Sequence, residues 1–455
     1  MAVLRVGGNA FDAAVAAGFA AAVCEPCLTS LAGGGFLLAH TAAGETVLCD
    51  FFVTAPGLGA ARAARPGDLA PVALRFDRAE QVFHVGPAAV ATPGVLAGYL
   101  HVHRRLGRLP LADVVAPAAR LARAGVPVDP FFARLVEILA PIVSRSDEGR
   151  ALFTRNGRPL RPGDTFTVPA LGALLDAVGA GRITGFGAAQ LGGQVTADDV
   201  AAYRVVEREP LAVRYRDATV LTNPPPSFGG TLVAHALAEL AATAPPTAAD
   251  DARHLCALAA ALVGLAGRRA SLGAGTSRGT THLSVADAEG NVAAMTTSNG
   301  SGSGVFVPGT GVQLNNMMGE EDLHPAGLGT LPPGTPIGSM MAPTIVLRPG
   351  RGPVAFGSGG SERIRSAITQ LVVQLLDHRR SLADAVVAPR LHWDGRVLQA
   401  EPGLPPSCLA ALRQRWPVNE WRRPDLYFGG VHAVALPAEA VGDPRRGGLG
   451  VVVSD

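Results

Sequence analysis

Gly279-Thr280-Thr281-His282-Leu283-Ser284-Val285-Ala286-Asp287-Ala288-Glu289-Gly290-Asn291-Val292 is the stretch on which the fold turns. A Gly/Ser/Arg-rich run ends at Gly279, and an apolar segment closed by the turn signal Glu289-Gly290-Asn291 follows, so the pattern predicts a β-hairpin. Thr280 thus places a hydroxyl where a strand begins.

A threonine hydroxyl is a weak nucleophile by itself. If the bond before Thr280 is cut, the new amino group, with a pKa of about 7.7 to 8, becomes an adjacent general base suited to neutral pH. Taken alone, Thr280 reads better as an ordinary strand threonine than as a nucleophile, because threonine favours strands. The surrounding sequence decides between the two.

The 455 residues are 48% hydrophobic, enough for a large core. Only 17% are charged and the net charge is +2, which gives no electrostatic footprint for nucleic acid or an anionic membrane. All 39 basic residues are arginine. Without lysine there is no Walker A motif, no Schiff-base lysine and no Ser-Lys dyad.

Cys24, Cys27, Cys49, Cys256 and Cys408 are an odd set in a long chain and argue against a disulfide framework. Cys24 and Cys27 form a CxxC with no second pair to complete a zinc site, so buried, inert thiols and no metal or cofactor are expected. Ala10 to Val23 is too short, and too interrupted by Asp12, to span a bilayer. No basic segment precedes it, so no export signal is read in the chain as given.

Further out, Asn9 reads as the N-cap of an Ala-rich helix to about Val23, broken by Glu25, Pro26 and Gly33 to Gly35. Phe36 to Ala39 and Thr46 to Phe51 read as a hairpin. Pro93 to about Ala124 is helical with breaks. Pro224 to Gly230 forms a stiff loop leading into a helix through about Leu240. Ala241 to Ala249 and Gly273 to Gly279 read as exposed or mobile loops. Met341 to Leu347 reads as a strand, and Gly357 to Ser361 as the opening of a helix carrying Ile368, Leu371, Val372, Leu375 and Leu376. Hairpins mixed with packed helices predict an α+β fold.

In matching order, Gly7 to Ala16, Glu25 to Phe36, Asp50 to Pro56, Pro93 to Gly98, Tyr203 to Pro210, Pro224 to Gly230, Thr280 to Ser284, Leu314 to Asn316, Ala342 to Ile345 and Gly357 to Ile364 resemble the gamma-glutamyltransferases (glutathione hydrolases). The resemblance implies a four-layer αββα sandwich of the N-terminal-nucleophile type and cleavage between Gly279 and Thr280. It also implies a heterodimer of residues 1–279 and 280–455. The expected reaction is transfer of an acyl group, usually gamma-glutamyl, from a small amide to water or an amine.

Carried over residue by residue, the resemblance makes Thr280 the nucleophile and Gly360 and Ser361 the oxyanion positions. Thr297 or Ser298 would be a second hydroxyl orienting the nucleophile, and Asn299 would match the substrate-binding Asn. Three departures bear on the donor. Phe52 stands where the family's carboxylate-binding Arg is expected. Glu320 takes the place of an Asp for the donor's α-amino group. The family's paired Ser becomes Ser339 and Met340, and another arginine such as Arg363 or Arg365 is available as a substitute cation.

The leading reading is a self-cleaving gamma-glutamyltransferase-like amidohydrolase, and an acylase of the same fold cutting glutaryl or other dicarboxylic side-chain amides is the runner-up. A non-catalytic relative that only binds ligand is the alternative from another class. Gly275 to Gly279 also fits G-x-S-x-G with Ser277 as nucleophile, but that elbow must run from strand to helix, whereas here a loop precedes and a strand follows. His101 and His103 lie in a helical region, where a two-residue spacing does not converge on a metal. His282 reads as a packing residue, and Glu320 and Glu321 as either a solvated pair or an amine site.

Overall fold

The computed structural model describes residues 1–59, 68–76, 79–248, 250–272, 279–324 and 326–453. Asn9 begins the first long helix, α1 (Ala10–Cys24), as the sequence predicts. Its side chain accepts from the N–H groups of Phe11 and Asp12, and Asp12 returns a carboxylate to the Asn9 N–H. This reciprocal cap satisfies donors that a helix start otherwise leaves open.

Two antiparallel sheets follow. The strands of the first are β1 (Gly34–His40), β2 (Thr46–Phe51), β3 (Val206–Arg208), β6 (Thr281–Ala286) and β7 (Val292–Ser298). The second contains β4 (Leu211–Tyr215), β5 (Ala218–Thr222), β8 (Thr344–Arg348), β9 (Arg351–Gly359), β10 (Gly430–Ala435) and β11 (Glu439–Val441). Their orders are β6-β7-β1-β2-β3 and β4-β5-β8-β9-β10-β11.

The period-2 alternation of a strand sends successive side chains to opposite faces. In β1, Leu37 and Ala39 join the apolar cluster that contains α1, whereas Phe36 and Leu38 join the cluster beneath the other sheet. In β7, Ala293 and Met295 divide from Val292 and Ala294 in the same way. The first sheet is covered by α1 and α2 (Val95–Leu106), with α3 (Leu111–Ala124) packed on α1, and the second by α4 (Phe228–Ala241) and α6 (Arg363–Leu376), with α5 (Ala252–Leu272) packed on α4. The β6 and β7 strands pack on β9, which gives helix, sheet, sheet, helix: the four-layer αββα sandwich.

Each side of the Gly279/Thr280 bond contributes to both sheets. The 34–51 hairpin pairs with the 281–298 hairpin through Gly34↔Ser298 and Gly35↔Thr297, and β5 pairs with β8. Neither part therefore has a complete sheet of its own.

One sequence expectation is corrected. Gly357, Ser358 and Gly359 do not open a helix; they end the nine-residue strand β9, and α6 starts only at Arg363. The glycines read locally as breakers but serve close approach between the sheets. A Cβ on Gly357 would lie 2.3 Å from the His282 ring, and one on Gly359 would lie 2.5 Å from the Thr280 carbonyl oxygen. Among the described residues, no helix is long and apolar enough to cross a membrane.

Candidate active site

Thr280 enters β6 from Gly279, at the edge of the first sheet and facing the end of β9. It is 1% exposed, yet its hydroxyl has no hydrogen-bond partner. Leaving such a group unmade costs about 1–3 kcal/mol, a cost expected where a side chain is kept for chemistry. Gly279, read from sequence as part of an exposed or mobile loop, is buried. The rest of that loop, with the rival nucleophile Ser277, lies outside the described residues.

The two candidate orienting hydroxyls are separated by the structure. Ser298 donates to the carbonyl oxygen of Gly279 and accepts from the Gly300 N–H at 3.0 Å. Thr297 points the other way and accepts from Thr29 at 2.9 Å. Ser298 is thus the hydroxyl that touches the bond before Thr280. Alternation along β7 explains this, since neighbouring side chains leave opposite faces.

Asn299 is 1% exposed; its Oδ1 lies 2.9 Å from the Ser30 hydroxyl and its Nδ2 has no partner. Glu320 is 4% exposed and accepts from the Ser301 N–H at 3.1 Å, beside Asn316, which accepts from the same N–H at 2.8 Å. The solvated-pair reading therefore fails for Glu320 and holds for exposed Glu321.

Across from Thr280, β9 turns into α6 through Gly360, Ser361 and Glu362. Gly360 has φ +116° and Ser361 φ +60°, a left-handed conformation uncommon for a side-chain-bearing residue. The carbonyls of Gly360 and Ser361 accept from Arg363 and Ile364, which leaves their own N–H groups at the helix's N-terminal end, where donors are unused. Ser361 is fully buried with an unpartnered hydroxyl. Thr280, Asn299 and Ser361 thus present unpaired polar atoms around the end of β6 and β9.

Phe52, in the place expected for a cation, is buried and stacked on Phe36 at 5.5 Å between ring centroids. Its ring packs on Gly34, which faces Ser298 across the sheet. The Ser339 carbonyl accepts from Ser227 and Phe228, its hydroxyl accepts from Met341, and the Met340 side chain joins the apolar cluster. The stiff 224–230 loop holds this segment in place, the wall-like role its prolines predict.

Around the site, burial keeps His282 neutral, well below its ordinary pKa, and nearby His432 acts in the same direction. His282 bonds Thr296 and Ser284, the packing role read from sequence. Burial raises the Glu25 carboxyl, opposed by the Thr281 hydroxyl that donates to it and by Arg446. Burial pushes the Cys27 and Cys49 thiols up to about 12 and Cys24 to about 11, so all three are inert. His101 bonds Glu207, and His103 lies 2.8 Å from the Leu109 carbonyl.

Sequence reading missed Ser30, Thr29, Glu25 and Arg446 as neighbours of the site. Glu25, Thr29 and Ser30 fall within the Glu25 to Phe36 stretch that carries the resemblance and Arg446 in none, but residue type and spacing assign none of the four a place at the site, because each is brought there by a long-range contact. Arg446, from the C-terminal segment, flanks Gly359 and Gly360: Cβ atoms built there would lie 3.0 and 3.1 Å from its Nη1 and Nη2. Arg363, one of the two substitutes named from sequence, donates instead to the Tyr427 carbonyl and lies over that ring.

Comparison with known proteins agrees with this fold. The family model described as Gamma-glutamyltranspeptidase matches residues 1–273 and 257–453. The chain is 34% identical over 493 residues to the Acylase ACY 1 proenzyme of Pseudomonas sp. (strain SE83), covering 95% of this chain and 87% of the relative. It is 30% identical over 483 residues to the Glutathione hydrolase proenzyme of Escherichia coli (strain K12), covering 91% and 82%. Among solved structures, cephalosporin acylase from Bacillus halodurans aligns with TM-score 0.81 at 24% identity over 99% of this chain and 92% of that one, a likeness of fold. With its sandwich, its Thr280 strand and these matches across nearly its whole length, the chain belongs to the gamma-glutamyltranspeptidase family of N-terminal-nucleophile hydrolases.

Proposed function

We propose that the protein cleaves its own chain before Thr280 and then acts as an amidohydrolase that passes a carboxylate-bearing acyl group from an amide to water or an amine. The observation that carries this is the buried, unpartnered Thr280 hydroxyl beside a Gly279 carbonyl that already accepts from Ser298.

In the first step Thr280 Oγ attacks the Gly279 carbonyl carbon while Ser298 stabilises charge on its oxygen. The C–N bond breaks, the Thr280 nitrogen leaves as an amine, and water hydrolyses the resulting ester. In turnover the same Oγ attacks the donor's amide carbonyl. The Thr280 amine takes the proton and delivers it to the leaving nitrogen, and the N–H groups of Gly360 and Ser361 hold the oxyanion. Water or an acceptor amine then releases the acyl group.

For the donor, the dicarboxylic side-chain amide is favoured over gamma-glutamyl. Phe52 is locked in an aromatic stack and offers no charge, and the Met340 side chain is in the core, so two polar contacts for an α-amino acid head are missing. The acylase named among the relatives supports the same choice. Gamma-glutamyl transfer is the second reading, and buried Glu320 is the residue that favours it.

The test has two parts. Intact-mass analysis of the purified protein beside Thr280→Ala should give fragments 1–279 and 280–455 in the parent alone. The parent should then turn over glutaryl-p-nitroanilide faster than gamma-glutamyl-p-nitroanilide. An uncleaved, correctly folded parent without turnover would mean a ligand-binding relative instead.

A further inference from the structure

Arg446 is a cation without an assigned partner at the most sensitive edge of the site. Its Nε is buried and makes no hydrogen bond, and among the described residues no carboxylate reaches its guanidinium within salt-bridge distance. The carboxylates whose charge it feels are Asp443 and Glu25, and both are engaged elsewhere. Asp443 binds Arg390 at 2.6 Å and Arg445 at 3.2 Å, and Glu25 accepts from Thr281. A partly buried guanidinium in this condition is suited to a planar anion brought by a ligand, since an unmatched charge is costly and the fork fits a carboxylate.

Its position is fixed. Arg390, Asp443, Arg445 and Glu401 form a buried chain of ion pairs with side chains at most 4% exposed. Asp443 also accepts from the Val431 N–H, and Arg390 donates to the Phe428 carbonyl. That chain clamps residues 443–446 onto the start of β10, the strand beside β9. The Arg446 side chain then lies along Gly430, Gly359 and Gly360, and Arg363 is the cation nearest to it in electrostatic effect. Gly359 is the same residue that touches the Thr280 carbonyl.

We infer that Arg446, delivered from the C-terminal segment beside the Gly359–Gly360 turn, binds the distal carboxylate of the acyl group and supplies the cation that Phe52 does not. This rests on the proposed amidohydrolase reading, and it assigns the specificity to a residue on the opposite sheet from Phe52. Arg446 acts here as a binding residue and takes no part in proton transfer.

The experiment compares parent, Arg446→Gln and Arg446→Lys by two readouts. Calorimetric titration with glutarate and with butyrate reads carboxylate recognition without turnover, and steady-state kinetics with glutaryl- and butyryl-p-nitroanilide give the KM-against-kcat split. Arg446→Gln should weaken glutarate binding and raise KM for the glutaryl donor at least 10-fold, lowering the glutaryl-to-butyryl kcat/KM ratio by the same factor. Arg446→Lys should recover part of both. Cleavage before Thr280 and an unchanged melting temperature report that the variants fold; if the glutamine variant does not, the lysine variant decides, with a lowered ratio at normal folding supporting the role.

Equal losses on both donors, or unaltered glutarate binding, would overturn the inference. A parent that binds glutarate through Arg446 but hydrolyses neither amide would instead sink the functional reading and leave this one standing.

Discussion

The hydroxyl of Ser298 donates to the carbonyl of Gly279, nineteen residues earlier in the chain and immediately before Thr280. The contact exists because β6 and β7 form a hairpin whose last residue reaches back past the hairpin's start. A donor at that oxygen would stabilise the tetrahedral state of the proposed cleavage.

Ser298→Ala should therefore slow cleavage before Thr280 by on the order of 10²-fold, the usual effect of losing one oxyanion donor. Thr297→Ala should leave the cleavage rate within a few-fold, because Thr297 bonds Thr29 instead. Timed intact-mass spectra of freshly made protein would check both. Equal slowing in the two variants would mean that the Ser298 contact is not specific.

Glu320 is buried beside Asn316 and the Gly300–Ser301 turn. If it binds a donor's α-amino group, Glu320→Gln should raise KM for gamma-glutamyl-p-nitroanilide about 10-fold, roughly 1.4 kcal/mol, with little change for glutaryl-p-nitroanilide. An unchanged KM for the α-amino donor would remove the role.

The ion-pair chain around Asp443 makes a stability prediction. Arg445 binds both Glu401 and Asp443 with its side chain 2% exposed. Arg445→Met leaves buried Glu401 without its cation, while Asp443 keeps Arg390, and should cost about 3–5 kcal/mol, read as a lower denaturant midpoint. A loss under about 1 kcal/mol, the level of a surface pair, would contradict a buried clamp.

Burial lowers the His432 pKa to about 4, with Asp443 opposing the shift and Arg446 assisting it. The folded state then binds fewer protons than the unfolded chain, whose imidazole titrates near 6.5. The stabilisation is complete above about pH 6.5 and is lost as pH falls toward 4, about 3 kcal/mol in all. Melting temperatures measured across that window should fall, and fall less steeply in His432→Gln. A variant with the parent's slope would place the effect elsewhere, with His282 as the next group to test.

Much of this was legible from residues in order. Asn9 and Asp12 announce the cap of α1, the 281–298 hairpin declares itself through its turn, and Thr280 stands where a strand starts, because caps, turns and periodicity are local. The strand β9 was not legible at its end, since Gly357 and Gly359 look like breakers until His282 and the Thr280 carbonyl are seen against them. Glu320 was ambiguous for the same kind of reason, as burial is not written beside a residue in the chain.

The sequence by itself determined the α+β elements, the candidate nucleophile and the loss of charge at Phe52, all of which depend on residue type and near neighbours. Only the tertiary structure decided that Ser298 and not Thr297 meets the Gly279 carbonyl, that Glu25 and Arg446 flank the site, and that a guanidinium stands beside the Gly359–Gly360 turn. Those are meetings of segments up to several hundred residues apart, fixed by the packing of two sheets, and no local pattern encodes which side chains such packing brings face to face.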